Sequence, residues 1–191
     1  MSKSFIALIM LLSAAFVFQP VCKAQSVNAS LITAAKDGDM SQIKLLIEQG
    51  ASPSGANENG QTALMFASNG GHKEIAKFLI QQGADVNAID SQGSNALMDA
   101  AGGGYFPELI KLLIEKGAKV NAINKNGDTA LIIAARTGHE NTVKYLVKCK
   151  ANINIKNTSG KTAFDEAKEK GYASIADFLK NQALLEVNIW Q

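Results

Sequence analysis

Four lines of sequence decide the fold: Gly60-Gln61-Thr62-Ala63-Leu64-Met65-Phe66-Ala67, Gly93-Ser94-Asn95-Ala96-Leu97-Met98-Asp99-Ala100, Gly127-Asp128-Thr129-Ala130-Leu131-Ile132-Ile133-Ala134 and Gly160-Lys161-Thr162-Ala163-Phe164-Asp165-Glu166-Ala167. Their leading glycines are separated by 33, 34 and 33 residues. A second glycine follows eleven residues after each, at Gly71, Gly104, Gly138 and Gly171. Self-similarity at such a period marks a chain of stacked supersecondary units, none of which buries its apolar face alone. Thr62, Thr129 and Thr162, with Asn95 in the third line, stand where a helix begins. A side-chain oxygen at that place satisfies an orphan backbone donor. Leu64, Leu97, Leu131 and Phe164 recur where this helix must face inward, and Ala67, Ala100, Ala134 and Ala167 keep the same face thin.

Each unit continues with an apolar helical stretch such as Ile75–Ile80 or Leu109–Ile114, then closes on Gly83-Ala84-Asp85-Val86-Asn87 or Gly117-Ala118-Lys119-Val120-Asn121. Gly83 and Gly117 suit the left-handed turn that ends a helix. Upstream, Leu31–Gly38 and Ile43–Ile47, ending at Gly50, repeat the pattern without its leading turn. The units run over 25–56, 57–89, 90–123, 124–156 and 157–191, after a separate segment 1–24.

These lines resemble the ankyrin repeat family, whose unit is a turn followed by two antiparallel helices. The resemblance covers about residues 26–186. The family's proline beside the threonine is Ala63, Ala96, Ala130 and Ala163 here, and its histidine is Met65, Met98, Ile132 and Asp165. It implies an all-α solenoid of helix-turn-helix units with short β-turn or hairpin connections. Lys150 occupies the place of a closing glycine, where a side chain is strained and the join between the fourth and fifth units is expected to loosen. The end units are expected to differ from the rest, with Ala183–Leu185, Val187, Ile189 and Trp190 covering the last helix pair.

Residues 1–24 read as an export address. One lysine precedes an uncharged run from Phe5 to Phe18, and a polar break ends at Cys22-Lys23-Ala24. That is the plan of a secretory signal peptide, with cleavage expected after Ala24. The run is shorter than the roughly 20 apolar residues a membrane span needs. Cys22 lacks the small residue that lipoprotein signals place before their cysteine. The whole chain has 19 Lys and Arg against 17 Asp and Glu. Cleavage would remove Lys3 and Lys23, leaving a formally neutral chain with Cys149 as its single thiol. Such a balance gives no support to nucleic-acid binding. No stable membrane insertion is expected after cleavage.

No phosphate-cradling loop, nucleophile elbow or metal-ligand cluster is present in the sequence. His72 and His139 stand two units apart, too far to share a metal or a proton. The expectation is therefore a chain with no catalytic residues, no cofactor and no metal, not an enzyme and monomeric. The resemblance implies binding of another protein through a concave face built from turn tips and first helices. Carried over by position, the candidates are Glu58, Asn59, Gln61 and Asn69 in the second unit. Ser91, Gln92, Ser94, Asp99, Tyr105 and Phe106 follow in the third, and Lys125, Asn126, Asp128, Arg136 and Thr137 in the fourth. The third unit is the most divergent. Asp99 occupies a column held by Phe66 and Ile133, and Gly102-Gly103-Gly104-Tyr105-Phe106-Pro107 carries one extra residue, read either as a tolerated loop bulge or as a flexible aromatic contact region. Three roles are open: an exported protein, periplasmic or secreted, that holds, inhibits or protects a partner; an effector that masks a protein of a host or rival cell; and, remotely, an enzyme or its accessory subunit. Asn28-Ala29-Ser30 and Asn157-Thr158-Ser159 match the glycosylation triplet.

Overall fold

The computed structural model describes residues 26–188. Ten helices alternate in two rows. The inner row holds α1 (26–37), α3 (Ala63–Asn69), α5 (Ala96–Gly103), α7 (Ala130–Thr137) and α9 (Ala163–Glu169). The outer row holds α2 (Met40–Glu48), α4 (Lys73–Gln81), α6 (Pro107–Glu115), α8 (Glu140–Lys148) and α10 (Ala173–Asn188). Each inner helix turns back through a short connection into its outer partner, and the pairs stack in chain order. From α3 onward, the inner helices pack on one another more extensively than the outer ones do.

Side-chain size explains that asymmetry. Ala67, Ala100, Ala134 and Ala167 are fully buried between inner helices, with Leu64, Leu97 and Leu131 beside them. Outer helices contribute branched residues instead: Ile43, Ile75 and Leu79, Leu109, Ile110 and Leu113, Val143 and Leu146. All of these belong to one continuous core. Each fully buried leucine or isoleucine stabilises the stack by about 1.5–3 kcal/mol, which offsets the entropy of ordering its unit.

The helix starts follow the sequence expectation. Thr62, Asn95, Thr129 and Thr162 accept a hydrogen bond from the backbone N–H three residues on, at Met65, Met98, Ile132 and Asp165. Asp165 reciprocates on the Thr162 backbone and completes a capping box. The connections are turns rather than strands: among the described residues the sheet content is one isolated bridge, Ala56 with Thr62.

Two expectations need correction. Only part of the third unit's glycine run is loop, because Gly102 and Gly103 form the last turn of α5 and the connection itself is residues 104–106. A side-chain carbon added at Gly103 would lie 2.1 Å from the Asn69 carbonyl oxygen, so this glycine permits close packing on the preceding pair. At the far end Ala183 packs on the core, whereas Leu184 and Leu185 are each more than half exposed. Ile189, Trp190 and the 1–24 segment lie outside the described residues. Cys149 is the half-buried C-cap of α8.

Lys150 adopts φ of 63°, the left-handed conformation that Gly50, Gly83 and Gly117 hold in the equivalent turns. A β-carbon in that region costs about 1–2 kcal/mol. Replacing Lys150 with glycine is expected to stabilise the chain by about 1 kcal/mol, read as a higher urea midpoint with an unchanged slope. An unchanged midpoint would show that the strain is relieved elsewhere.

Candidate functional site

A repeated side-chain cage shapes the tips of the connections. Asn57 Oδ1 accepts from the backbone N–H groups of Asn59 and Gln61. Asp90 does the same for Gln92 and Ser94, Asn124 for Asn126 and Asp128, and Asn157 for Ser159 and Lys161. With both amides held by one oxygen, the turn between them has little freedom. Neighbouring tips are then tied through their backbones. Ser91 N–H donates to Asn59 O at 2.7 Å, Lys125 N–H to Gln92 O at 2.8 Å and Thr158 N–H to Asn126 O at 2.9 Å. The result is a rigid ribbon of tips beside the inner helices.

Most sequence-derived candidates fall on this ribbon or on the inner-helix ends. Glu58, Asn59, Ser91, Gln92, Lys125 and Asn126 are exposed at the tips, and Asn69, Tyr105 and Thr137 are exposed at or just beyond the inner-helix ends. Gln61 and Ser94 are half-buried and bonded within the ribbon, Gln61 to Asn57 and Ser94 to Asn124. Sequence reasoning passed over Asn57, Asn124 and Asn157 as cage residues, although an Asn or Asp three places before each leading glycine was readable. It also passed over Ile89 and Ile123, exposed at the base of the ribbon by 63% and 60%.

Three candidates have internal roles instead. Phe106 does not share Tyr105's exposure. Its ring packs where a side-chain carbon on Gly71 would lie, 2.3 Å away. It occupies the place that His72, His139 and Tyr172 fill in other pairs. His72 meets the Lys36 carbonyl at 3.2 Å and His139 the Ala101 carbonyl at 3.0 Å, both spanning adjacent pairs. The extra residue before Phe106 is accommodated without freeing the segment, since Thr142 Oγ1 donates to the Gly104 carbonyl.

Asp128 and Arg136 are the other two. Arg136 makes a bidentate pair with Asp128, at 2.7 and 2.5 Å, and reaches Glu166 at 3.0 and 3.2 Å. Asn157 Nδ2 donates to both carboxylates. The side chains of Asp128 and Glu166 are 3% and 8% exposed, so their charge is balanced chiefly by this one guanidinium. Arg136's hydrogen bonds hold the Glu166 carboxyl below its usual range, and bonds to Asp128 raise the arginine further above its own. Asp128 is therefore a buried strut rather than a surface contact. Asn157, also buried and committed to these bonds, offers no free amide to a glycan in the folded chain.

Asp99 has the opposite environment. It is half-buried on α5 and lines a recess of about 220 Å³ with Gln61, Met65, Phe66 and Asn69. No hydrogen-bond donor among the described residues meets its carboxylate. Burial, reinforced by nearby Asp90, pushes its pKa up to about 7. Among the described residues no group of three or more His, Cys, Asp or Glu could hold a metal ion, and no helix is long and apolar enough to cross a membrane.

A family model described as ankyrin repeats (3 copies) matches residues 31–124 and again 97–189. No curated protein matches the chain.

Two predictions follow from the charged groups. Arg136→Met leaves two buried carboxylates without their cation and is expected to cost about 2–4 kcal/mol, measured by urea unfolding; a loss below about 0.5 kcal/mol would place the carboxylates in water. For Asp99 the folded pKa is raised, so its stability contribution is full below the unfolded value of about 3.9 and is lost as pH climbs toward 7. Between about pH 5 and pH 8 the wild-type urea midpoint should fall relative to that of Asp99→Asn. Parallel pH profiles would contradict this.

Proposed function

The chain belongs to the ankyrin repeat family, and from that premise we propose that it is an exported, non-catalytic binding protein that holds, inhibits or shields one protein partner. Ankyrin repeats commonly mediate protein–protein interaction. The observation that carries the reading is the tip ribbon, whose cage residues and backbone ties are regular while its outward side chains differ at every unit. A rigid frame lowers the entropy cost of binding, and varied side chains supply specificity. The exposed Ile89 and Ile123 add apolar contact to a polar edge. Export rests on the 1–24 segment, with its single lysine, apolar run and small residue before the expected cut.

Site-specific photocrosslinking in the producing cell tests the binding face. A crosslinker at Gln92 or Lys125 is expected to trap one defined protein, and the same group at Lys111 on α6 is expected to trap none. Equal adducts at all three positions, or none at any, would refute the face. Mass spectrometry of the recovered chain should find Gln25 at its N-terminus; an intact N-terminus would refute cleavage after Ala24.

A further inference from the structure

The same four positions recur along this chain with different contents. Asp128, Arg136, Asn157 and Glu166 make the network between the fourth and fifth helix pairs. Sixty-seven residues earlier in each case stand Gln61, Asn69, Asp90 and Asp99. Asp99 takes the place of Glu166, and Asp90 that of Asn157. Where Arg136 supplies the cation, the earlier site has only the short, exposed Asn69. Of the network's two carboxylates, Glu166 has an acidic counterpart in Asp99 between the second and third pairs while Asp128 is replaced by Gln61, and the cation is not encoded there. At the intervening junction the corresponding residues are Ser94, Gly102, Asn124 and Ile133, which carry no charge.

We infer that the recess lined by Gln61, Met65, Phe66, Asn69 and Asp99 is a receptor for an arginine side chain of the bound protein. This rests on the reading of the tip and inner-helix face as a protein-binding surface. The guanidinium meets the Asp99 carboxylate and the side-chain oxygens of Gln61 and Asn69, and its methylenes lie along Met65 and Phe66. Arginine fits better than lysine because its planar fork offers several donors to a carboxylate and two amides, and stacks on an aromatic face. A metal ion is poorly served by one carboxylate and neutral amides. The arriving cation relieves a carboxylate that now lacks a donor, and the apolar walls strengthen the pair by excluding water. No competing cation reaches Asp99 from the elements packed against it. Helix α3 carries no charged residue, the one cation of α6, Lys111, is paired with Glu115, and on α7 the only charge, Arg136, is held by Asp128 and Glu166. The charge that acts on Asp99 is Asp90, of the same sign.

The probe is N-acetyl-arginine methylamide, added to the full chain at about pH 8 with NMR detection of the Asp99 carboxyl carbon and the Gln61 and Asn69 side-chain amides. The neutral citrulline analogue is the control. Saturable shifts at these groups with arginine only, and a fall of at least about one unit in the Asp99 titration midpoint, are expected. Asp99→Asn should abolish the shifts. Asn69→Arg, which places a guanidinium where the fourth unit has Arg136, should abolish them and lower the Asp99 midpoint without any probe. No saturable shift, equal shifts with citrulline, or tighter binding of the lysine analogue or of magnesium would overturn the assignment. The two readings separate cleanly. A partner trapped at Gln92 whose affinity for Asp99→Asn is unchanged, rather than reduced about tenfold or more, refutes the arginine receptor and leaves the binding face intact. Arginine binding in a chain that traps nothing at its tips refutes the tip face and leaves only the recess's own affinity for a guanidinium.

Discussion

Close approach of the inner helices is the constraint on which the structure depends. Ala67, Ala100, Ala134 and Ala167 have no exposed surface, and each lies where a larger side chain would force its neighbour away. Neighbouring units share a core only at that separation, and a unit without its neighbour cannot bury enough apolar surface to offset its ordering entropy. The regular spacing then places every connection in register with the next. The backbone bonds between tips, such as Lys125 N–H to Gln92 O, are a consequence of this registry.

The tips are held twice over, and this bears on function. An Asn or Asp oxygen fixes each turn internally, while backbone bonds fix it to the adjacent turn. Outward side chains such as Glu58, Gln92 and Lys125 therefore vary without disturbing the frame. The inner-helix ends are less permissive. His72, Phe106, His139 and Tyr172 occupy equivalent places, where ring contacts or carbonyl hydrogen bonds join successive pairs. The histidines thereby take structural work.

Charge is distributed unevenly along this frame. Between the fourth and fifth pairs, two nearly buried carboxylates are tolerable because Arg136 and Asn157 occupy their oxygens. Between the second and third, Asp99 lies against Met65 and Phe66 with no such donor, and its ionisation is correspondingly suppressed. Equivalent backbone geometry thus holds one completed ionic network and one acidic half. The two sites have opposite pH responses. Glu166 favours the folded chain once ionised and loses that effect as acid protonates it, whereas Asp99 favours the folded chain only while protonated.

The repeated glycines, capping threonines and alanine columns by themselves determined the all-helical solenoid, the order of its elements and the left-handed turn at Lys150, because each depends on local geometry and a period of 33 or 34 residues. They also placed Glu58, Gln92, Lys125 and their neighbours on exposed tips. Only the tertiary structure decided that Asp128 is a buried strut, that Phe106 is packed on Gly71 while Tyr105 is exposed, and that Gly102 and Gly103 belong to α5. Those outcomes depend on which side chain faces which across adjacent pairs. Arg136 meets Glu166 thirty residues away, whereas Asp99 shares a recess with Asn69 at the same separation and pairs with no cation among the described residues. Spacing along the chain sets where a residue stands, but the neighbour across the junction sets whether its charge is satisfied.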